Sequence, residues 1–180
     1  MSTSFRVWIL CEDRRAERFL RELCERFNVR VLEVIPAPKK CASAWVLAKY
    51  PELVRKRRSK KHQRNLGLLV HVDGDNVGVT ARKAALDGRL VQASLSKRLV
   101  DEPIALLVPT WCIETWLLHL SGYAETPESV PVKGNPLYMN AVRRLGLDER
   151  QVLRNAVASW PANHVPSLID GARESQRVNI

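Results

Sequence analysis

Residues 66–76 read LGLLVHVDGDN, and this stretch decides the fold. Leu66–Val72 is an apolar run of strand length that ends directly in Asp73-Gly74-Asp75-Asn76. A run without polar alternation predicts a strand buried on both faces, as in a parallel sheet covered by helices. Carboxylates placed just after it stand at the strand's carboxyl end, where the loops of an open α/β sheet form a crevice. Asp and Gly are also ordinary turn formers, and Asp73 alone could cap a following helix.

The pattern repeats outward. Phe5–Cys11 (FRVWILC) predicts a first strand, broken by the charged turn Glu12–Arg15. From Ala16 the period changes: Phe19, Leu20, Leu23, Cys24 and Phe27 share a helical face, with Arg18, Arg21, Glu22 and Glu25 opposite. Val29–Ile35 predicts the next strand, closed by Pro36 and Pro38. Lys39–Tyr50 reads as a helix that Pro51 interrupts, followed by a charged helix end or loop over Glu52–Arg64. Downstream, a helix runs from about Val79 to Leu86, Ile104–Val108 is a fourth strand, and Ile113–Leu120 is a helix. After a proline-rich loop, Ala124–Pro136, the helical segments Leu137–Leu145, Glu149–Ser159 and Val165–Glu174 follow. The expectation is an α/β fold: a mainly parallel, Rossmann-like sheet of about four strands with helices on both faces. Residues 1–122 form that domain, and residues 123–180 form a loop and helical C-terminal extension packed on it.

The chain has 180 residues, enough for one compact domain with a real core. No apolar stretch approaches the roughly 18–20 residues a spanning helix needs, and the polar start lacks a secretory pattern. The expected location is therefore cytoplasmic, without membrane. Cys11, Cys24, Cys41 and Cys112 have neither CxxC spacing nor a histidine at a zinc-like offset, and read as buried thiols. The formal charge is +10, and Arg55, Lys56, Arg57, Arg58, Lys60, Lys61 and Arg64 supply seven positive charges in one segment with no acid among them. Such a block is either a solvated loop or a surface for phosphate backbones, since clustered Lys and Arg release condensed counterions. The second reading makes nucleic acid, DNA or RNA, the expected partner.

Strand ends thus deliver Glu12 and Asp13, then Asp73 and Asp75, then Glu114 in the first turn of a helix. Like charges gathered at one edge need a cation or protons to neutralise them. Carboxylate oxygens suit Mg²⁺ or Mn²⁺, which commonly share carboxylates with phosphate oxygens. Acidic metal chemistry beside a basic surface suits metal-assisted phosphoryl transfer. His71 is expected to pack within the sheet, His62 to add to the basic block, and His119 and His164 have no partner by spacing. Of the five tryptophans, Trp8, Trp45, Trp116 and Trp160 sit on apolar stripes, whereas Trp111 follows Pro109 near the acidic edge.

Two segments, ILCEDRRAERFL with Glu12 and LLVHVDGDN with Asp73 and Asp75, resemble the TOPRIM superfamily, the metal-binding domain of topoisomerases, bacterial primases and OLD-type nucleases. VPTWCIETWLL, with Glu114, is similar to small TOPRIM-like proteins of the OLD-nuclease type. The resemblance covers Phe5 to Gly122 and implies a metal held by Glu12, Asp73 and Asp75. It also implies a contribution from Glu114 to a second site, an orienting role for Glu17, and a catalytic lysine for which Lys133 is the candidate. Asp13 stands where many relatives have glycine, and the chain lacks a GxxxxGK[ST] loop. A motor, if one is used, would be a separate ATPase or defence-system subunit. The resulting expectation is a Mg²⁺-dependent nuclease or related phosphotransferase. A non-catalytic adaptor subunit of a phage-defence complex is its rival, and a primase-like nucleotidyl transferase is a third reading.

Overall fold

The computed structural model describes residues 4–38, 42–123, 127–161 and 165–180. Four strands, β1 (Arg6–Cys11), β2 (Arg30–Pro36), β3 (Leu66–His71) and β4 (Ile104–Leu107), form one sheet in the order β2-β1-β3-β4. Every pairing is parallel. Helices α1 (Arg14–Arg26), α2 (Ala42–Ser59), α3 (Gly78–Gln92) and α4 (Ile113–Leu120) follow the strands in turn. Helices α5 (Asn135–Arg144), α6 (Glu149–Ser159) and α7 (Pro166–Ser175) complete the chain, with a last 3₁₀ turn at Gln176–Val178. The α/β class, the parallel sheet and the C-terminal helices agree with the expectation from sequence.

The strand period of two sorts each strand's side chains onto two cores. Val7, Ile9, Cys11, Leu69, Ala105 and Leu107 join one core with α1, α4 and the C-terminal helices. Trp8, Leu10, Leu68, Val70, Ile104 and Leu106 join the other with α2 and α3. Residues beyond 122 are integral to the first core: Tyr138, Val152, Trp160, Leu168 and Val178 are fully or almost fully buried in it. Gly171 lies so close under the Trp116 and Trp160 indoles that a Cβ would collide with them. Edge strand β2 is the exception to continuous burial, with Leu32 and Glu33 exposed.

One expectation fails at Pro51. Helix α2 runs unbroken through it, and Pro51 is itself buried. A proline costs a helix one N–H and crowds the preceding turn. Here Val46, Tyr50, Leu53 and Val54 on the same helix are all buried in the second core, and that packing outweighs the local penalty. The start expected at Lys39 and the thiol Cys41 lie outside the described residues, as does His164. Cys11, Cys24 and Cys112 are free and buried, and burial pushes each thiol up to about 12.

Helix α7 is fastened to β4 by one carboxylate. Glu174 is buried and accepts from Arg98, from Lys83 at 3.2 Å and from the Leu106 amide at 3.2 Å. Arg177 adds an ion pair at 3.3 Å. Burial opposes the charge, but Arg98, Lys83 and the Leu106 amide outweigh it and hold the carboxyl below its usual range. Removing one member of a buried ionic network leaves the others uncompensated. Glu174→Ala should therefore lower the unfolding free energy by about 3–5 kcal/mol, read by urea denaturation. A loss under about 1 kcal/mol, the scale of a surface pair, would show that the network does not anchor α7.

Candidate metal and phosphate centre

Strand order places β1 centrally: the chain leaves it for β2 on one side, then crosses back from β2 to β3 on its other side. The carboxyl ends of β1 and β3 therefore flank the point where ligands gather in open α/β sheets. Glu12 follows β1 and Asp73 follows β3, and both are buried. They are joined directly, since the Asp73 amide donates to Glu12 Oε2 at 2.8 Å. Asp73 Oδ1 accepts from the Ile113 amide at 3.2 Å, at the start of α4. One residue thus ties β1, β3 and α4 together.

The Asp-Gly-Asp turn presses against the chain leaving β4. Gly74 N–H donates to the Pro109 carbonyl at 3.0 Å and Asp75 N–H to the Trp111 carbonyl at 2.9 Å. A Cβ on Gly74 would collide with the carbonyl oxygens of Pro109 and Thr110, so glycine is required for close approach. The left-handed residue is Asp75, with φ +48°, a conformation aspartate tolerates. The turn leaves Asp73 buried and Asp75 facing outward, half-buried.

Lys133 is brought to this cluster from the loop before α5. Its ammonium pairs with Asp75 Oδ1 and lies 3.6 Å from Asp73 Oδ2, between the two carboxylates. Burial works against that charge, but the hydrogen bond to Asp75 and the charges of Asp73, Asp75 and Glu12 hold the ammonium above its usual range. Arg82, on α3, pairs with Asp75 Oδ2 at 3.0 Å. It escapes sequence reading because only the turn between β3 and α3 brings it to Asp75, seven positions earlier.

Even with Lys133, the charge is undercompensated. Burial, the neighbouring Glu12 and further acids push the Asp73 carboxyl up to about 9, against the opposing charge of Lys133. Glu12 is also raised, by burial and by Asp75, against the Asp73 amide bond and Lys133. His71 is fully buried, with neither ring nitrogen hydrogen-bonded and Nε2 3.9 Å from Asp73 Oδ1. Burial keeps it neutral, with its pKa lowered to about 4.

Other expected site residues are placed elsewhere. Asp13 caps α1, accepting from the Ala16 amide at 2.8 Å. Glu17 lines the same crevice as Glu12 but pairs with Arg21 at 2.9 Å. Glu114 is buried one residue after Ile113, yet Arg15 holds it at 2.7 Å, so it is bonded away from the cluster. Among the described residues, no three His, Cys, Asp or Glu side chains stand in an arrangement that would hold a metal ion.

The basic block does not flank this site. It occupies the end of α2 and the turn into β3, at the amino edge of the sheet, with the length of β3 between it and the acids. Much of it is already engaged. Arg58 grips Glu102 at 2.6 and 2.8 Å, Lys56 pairs with Glu33 and lies over Trp8, and Arg55 donates to the Ala93 carbonyl. Arg57 is buried, with Nε lacking a hydrogen-bond partner. Lys61, His62 and Arg64 remain exposed, and Lys60 is half-buried. Charge reversal at Arg57 or Arg58 would consequently disturb folding before it reported on binding.

No family model, no curated protein and no solved structure matches this chain.

The raised Asp73 carboxyl has a signed consequence. Between the ordinary aspartate value of 3.8 and about 9, the folded protein holds a proton that the unfolded chain has lost. Stability must then fall as pH rises through that window. Asp73→Asn, which keeps the acceptor without the charge, should raise the melting temperature in EDTA at pH 8. The gain should shrink towards pH 4. A variant equally stable relative to wild type at both pH values would contradict the burial argument.

Proposed function

We propose that this chain is a metal-dependent nuclease or related phosphoryl-transfer protein of TOPRIM-like type, acting on DNA or RNA. The supporting observation is the seating of the Lys133 ammonium between Asp73 and Asp75, beside Glu12, at the crossover of the sheet. A cation already sits among these carboxylates, and their hard oxygen donors suit Mg²⁺ or Mn²⁺. A bound divalent ion would polarise the scissile phosphate and generate the attacking hydroxide. Asp73 and Asp75 would hold it, and Glu12 would ligate it or take the proton from the nucleophile. Lys133 competes with the ion for the same oxygens. Displaced from them, its ammonium is free to face a phosphate oxygen, consistent with the catalytic lysine that the resemblance implies. The exposed Lys61 and Arg64, with the half-buried Lys60, would contact the nucleic-acid backbone remotely, at the far edge of the sheet.

The absence of a ready three-ligand arrangement among the described residues favours a second reading. In it, Lys133 and Arg82 permanently neutralise the acids, and the chain is a non-catalytic nucleic-acid-binding or adaptor subunit. A separate ATPase or defence-system partner would then supply the chemistry.

The two readings separate in one assay. Purified protein is incubated with single- and double-stranded DNA and RNA in Mg²⁺, Mn²⁺ or EDTA, beside an Asp73→Asn/Asp75→Asn variant. Cleavage is expected with the metals only, and the variant should lose at least 10³-fold in rate, the order expected for a group stabilising transition-state charge. Cleavage undiminished in the variant would refute the metal role. Binding without cleavage under every condition would favour the adaptor.

A further inference from the structure

The pocket of greatest interest lies one wall away from the acidic cluster. Its volume is about 390 Å³, within the range of small-ligand sites, and α1, α4, α5 and α6 enclose it. The shared wall is the start of α4: the Ile113 amide binds Asp73, and Glu114, the next residue, binds Arg15, which lines the pocket.

Two kinds of surface meet there. Leu117 and Leu153 give an apolar floor. Beside them the Arg15 guanidinium is held flat, gripped by Glu114 and Glu149 at 2.7 Å each and lying 4.6 Å over the Tyr138 ring. A guanidinium fixed in this way is a stacking platform for a planar ring. Tyr138 is completely buried, lines the same pocket, and its hydroxyl has no hydrogen-bond partner. A buried hydroxyl without a partner is uncommon, and a ligand atom or an ordered water would satisfy it.

The rim is cationic. Arg18 and Arg150 line it, are exposed, and form no ion pair among the described residues. The pocket's acids are committed elsewhere: Asp148 caps α6 through the Gln151 amide, and Glu149 is bonded to Arg15. The amino ends of α1 and α6 both open towards this region, adding partial positive charge.

We propose that the pocket seats one nucleotide of the strand presented to the acidic cluster. The base lies against Leu117, Leu153 and the Arg15 plane, the Tyr138 hydroxyl bonds its edge, and Arg18 and Arg150 hold the phosphates. This rests on the nucleic-acid reading above and adds, to the remote backbone contacts at the end of α2, a grip by α1 and α6 next to the acidic cluster. The ligand chemistry, a nucleotide, could come from a strand or from a free mononucleotide.

The test measures binding in EDTA, where no chemistry occurs, by fluorescence anisotropy of a 3′-labelled single-stranded oligonucleotide. Arg18→Glu/Arg150→Glu should weaken binding at least tenfold and reduce the slope of log K against log salt by about 1.4, the single-strand value for two phosphate contacts. Tyr138→Phe, which removes only the hydroxyl, should weaken it three- to tenfold. Arg30→Glu/Arg89→Glu, matched in charge change on exposed residues away from the pocket, should stay within twofold. Competition by a nucleoside 5′-monophosphate would identify the free nucleotide as a ligand, whereas binding only to the oligonucleotide would identify the strand. Unaltered binding by the Arg18/Arg150 variant, or an equal loss in the matched control, overturns the pocket. Metal-dependent cleavage alongside unaltered binding would remove the pocket and leave the enzyme. Pocket-dependent binding without cleavage would do the reverse.

Discussion

The structure turns on the hydrogen bond from the Asp73 amide to Glu12. It joins the carboxyl ends of the two central strands and, through the Asp73 side chain, the first amide of α4. Both carboxyl groups are buried and both are harder to ionise for it; Glu12 adds to the effect on Asp73, and Asp75 to that on Glu12. Such an arrangement is unfavourable in isolation, because stripping water from like charges costs several kcal/mol per ion. The surrounding core, continuous on both faces of the sheet, supplies the stability that tolerates it. Local destabilisation placed at the ends of well-packed strands is a common property of functional sites.

Much of the fold was legible because burial leaves a periodic record. β1, β3 and β4 are covered on both faces and appear as uninterrupted apolar runs, and α1 shows its 3.6-residue stripe down to the Asp13 cap. Glu12, Asp73 and Asp75 were legible for the same reason, since a charge directly after a buried strand has one place to go. Pro51 misled because proline's local cost is written in the sequence, whereas the packing that offsets it is not. Lys133 could be named only as one loop lysine by analogy; its contact with Asp75 spans 58 positions and leaves no periodic trace. Arg15 and Arg82 left no signal at all, being arginines among many.

The basic block shows the opposite failure. A dense run of like charge reads as a single surface, yet the fold divides it. Arg58 becomes a bidentate clamp on Glu102, Arg57 is buried, and the Lys56 ammonium lies over the Trp8 ring. Cations in the last turn of α2 also complement the helix's negative end. Part of the sequence's charge is therefore structural, and the acids and this block face different ends of the sheet. Any nucleic acid touching both would have to run across the molecule along the strands.

The loop that carries Lys133 is held elsewhere too: Glu128 accepts from the Ser167 amide at 3.2 Å, and the Trp111 indole Nε1 donates to the Ser129 carbonyl at 2.5 Å. Trp111 is also the residue whose carbonyl accepts from Asp75. The half-buried Trp111 indole is thus wired to both the loop and the turn, while Trp8, Trp116 and Trp160 are locked in the cores and the half-buried Trp45 stands away on α2. The molecule carries a built-in optical reporter. Displacement of the ammonium by an incoming cation would alter the surroundings of one tryptophan and leave the buried ones silent, giving a label-free signal of site occupancy.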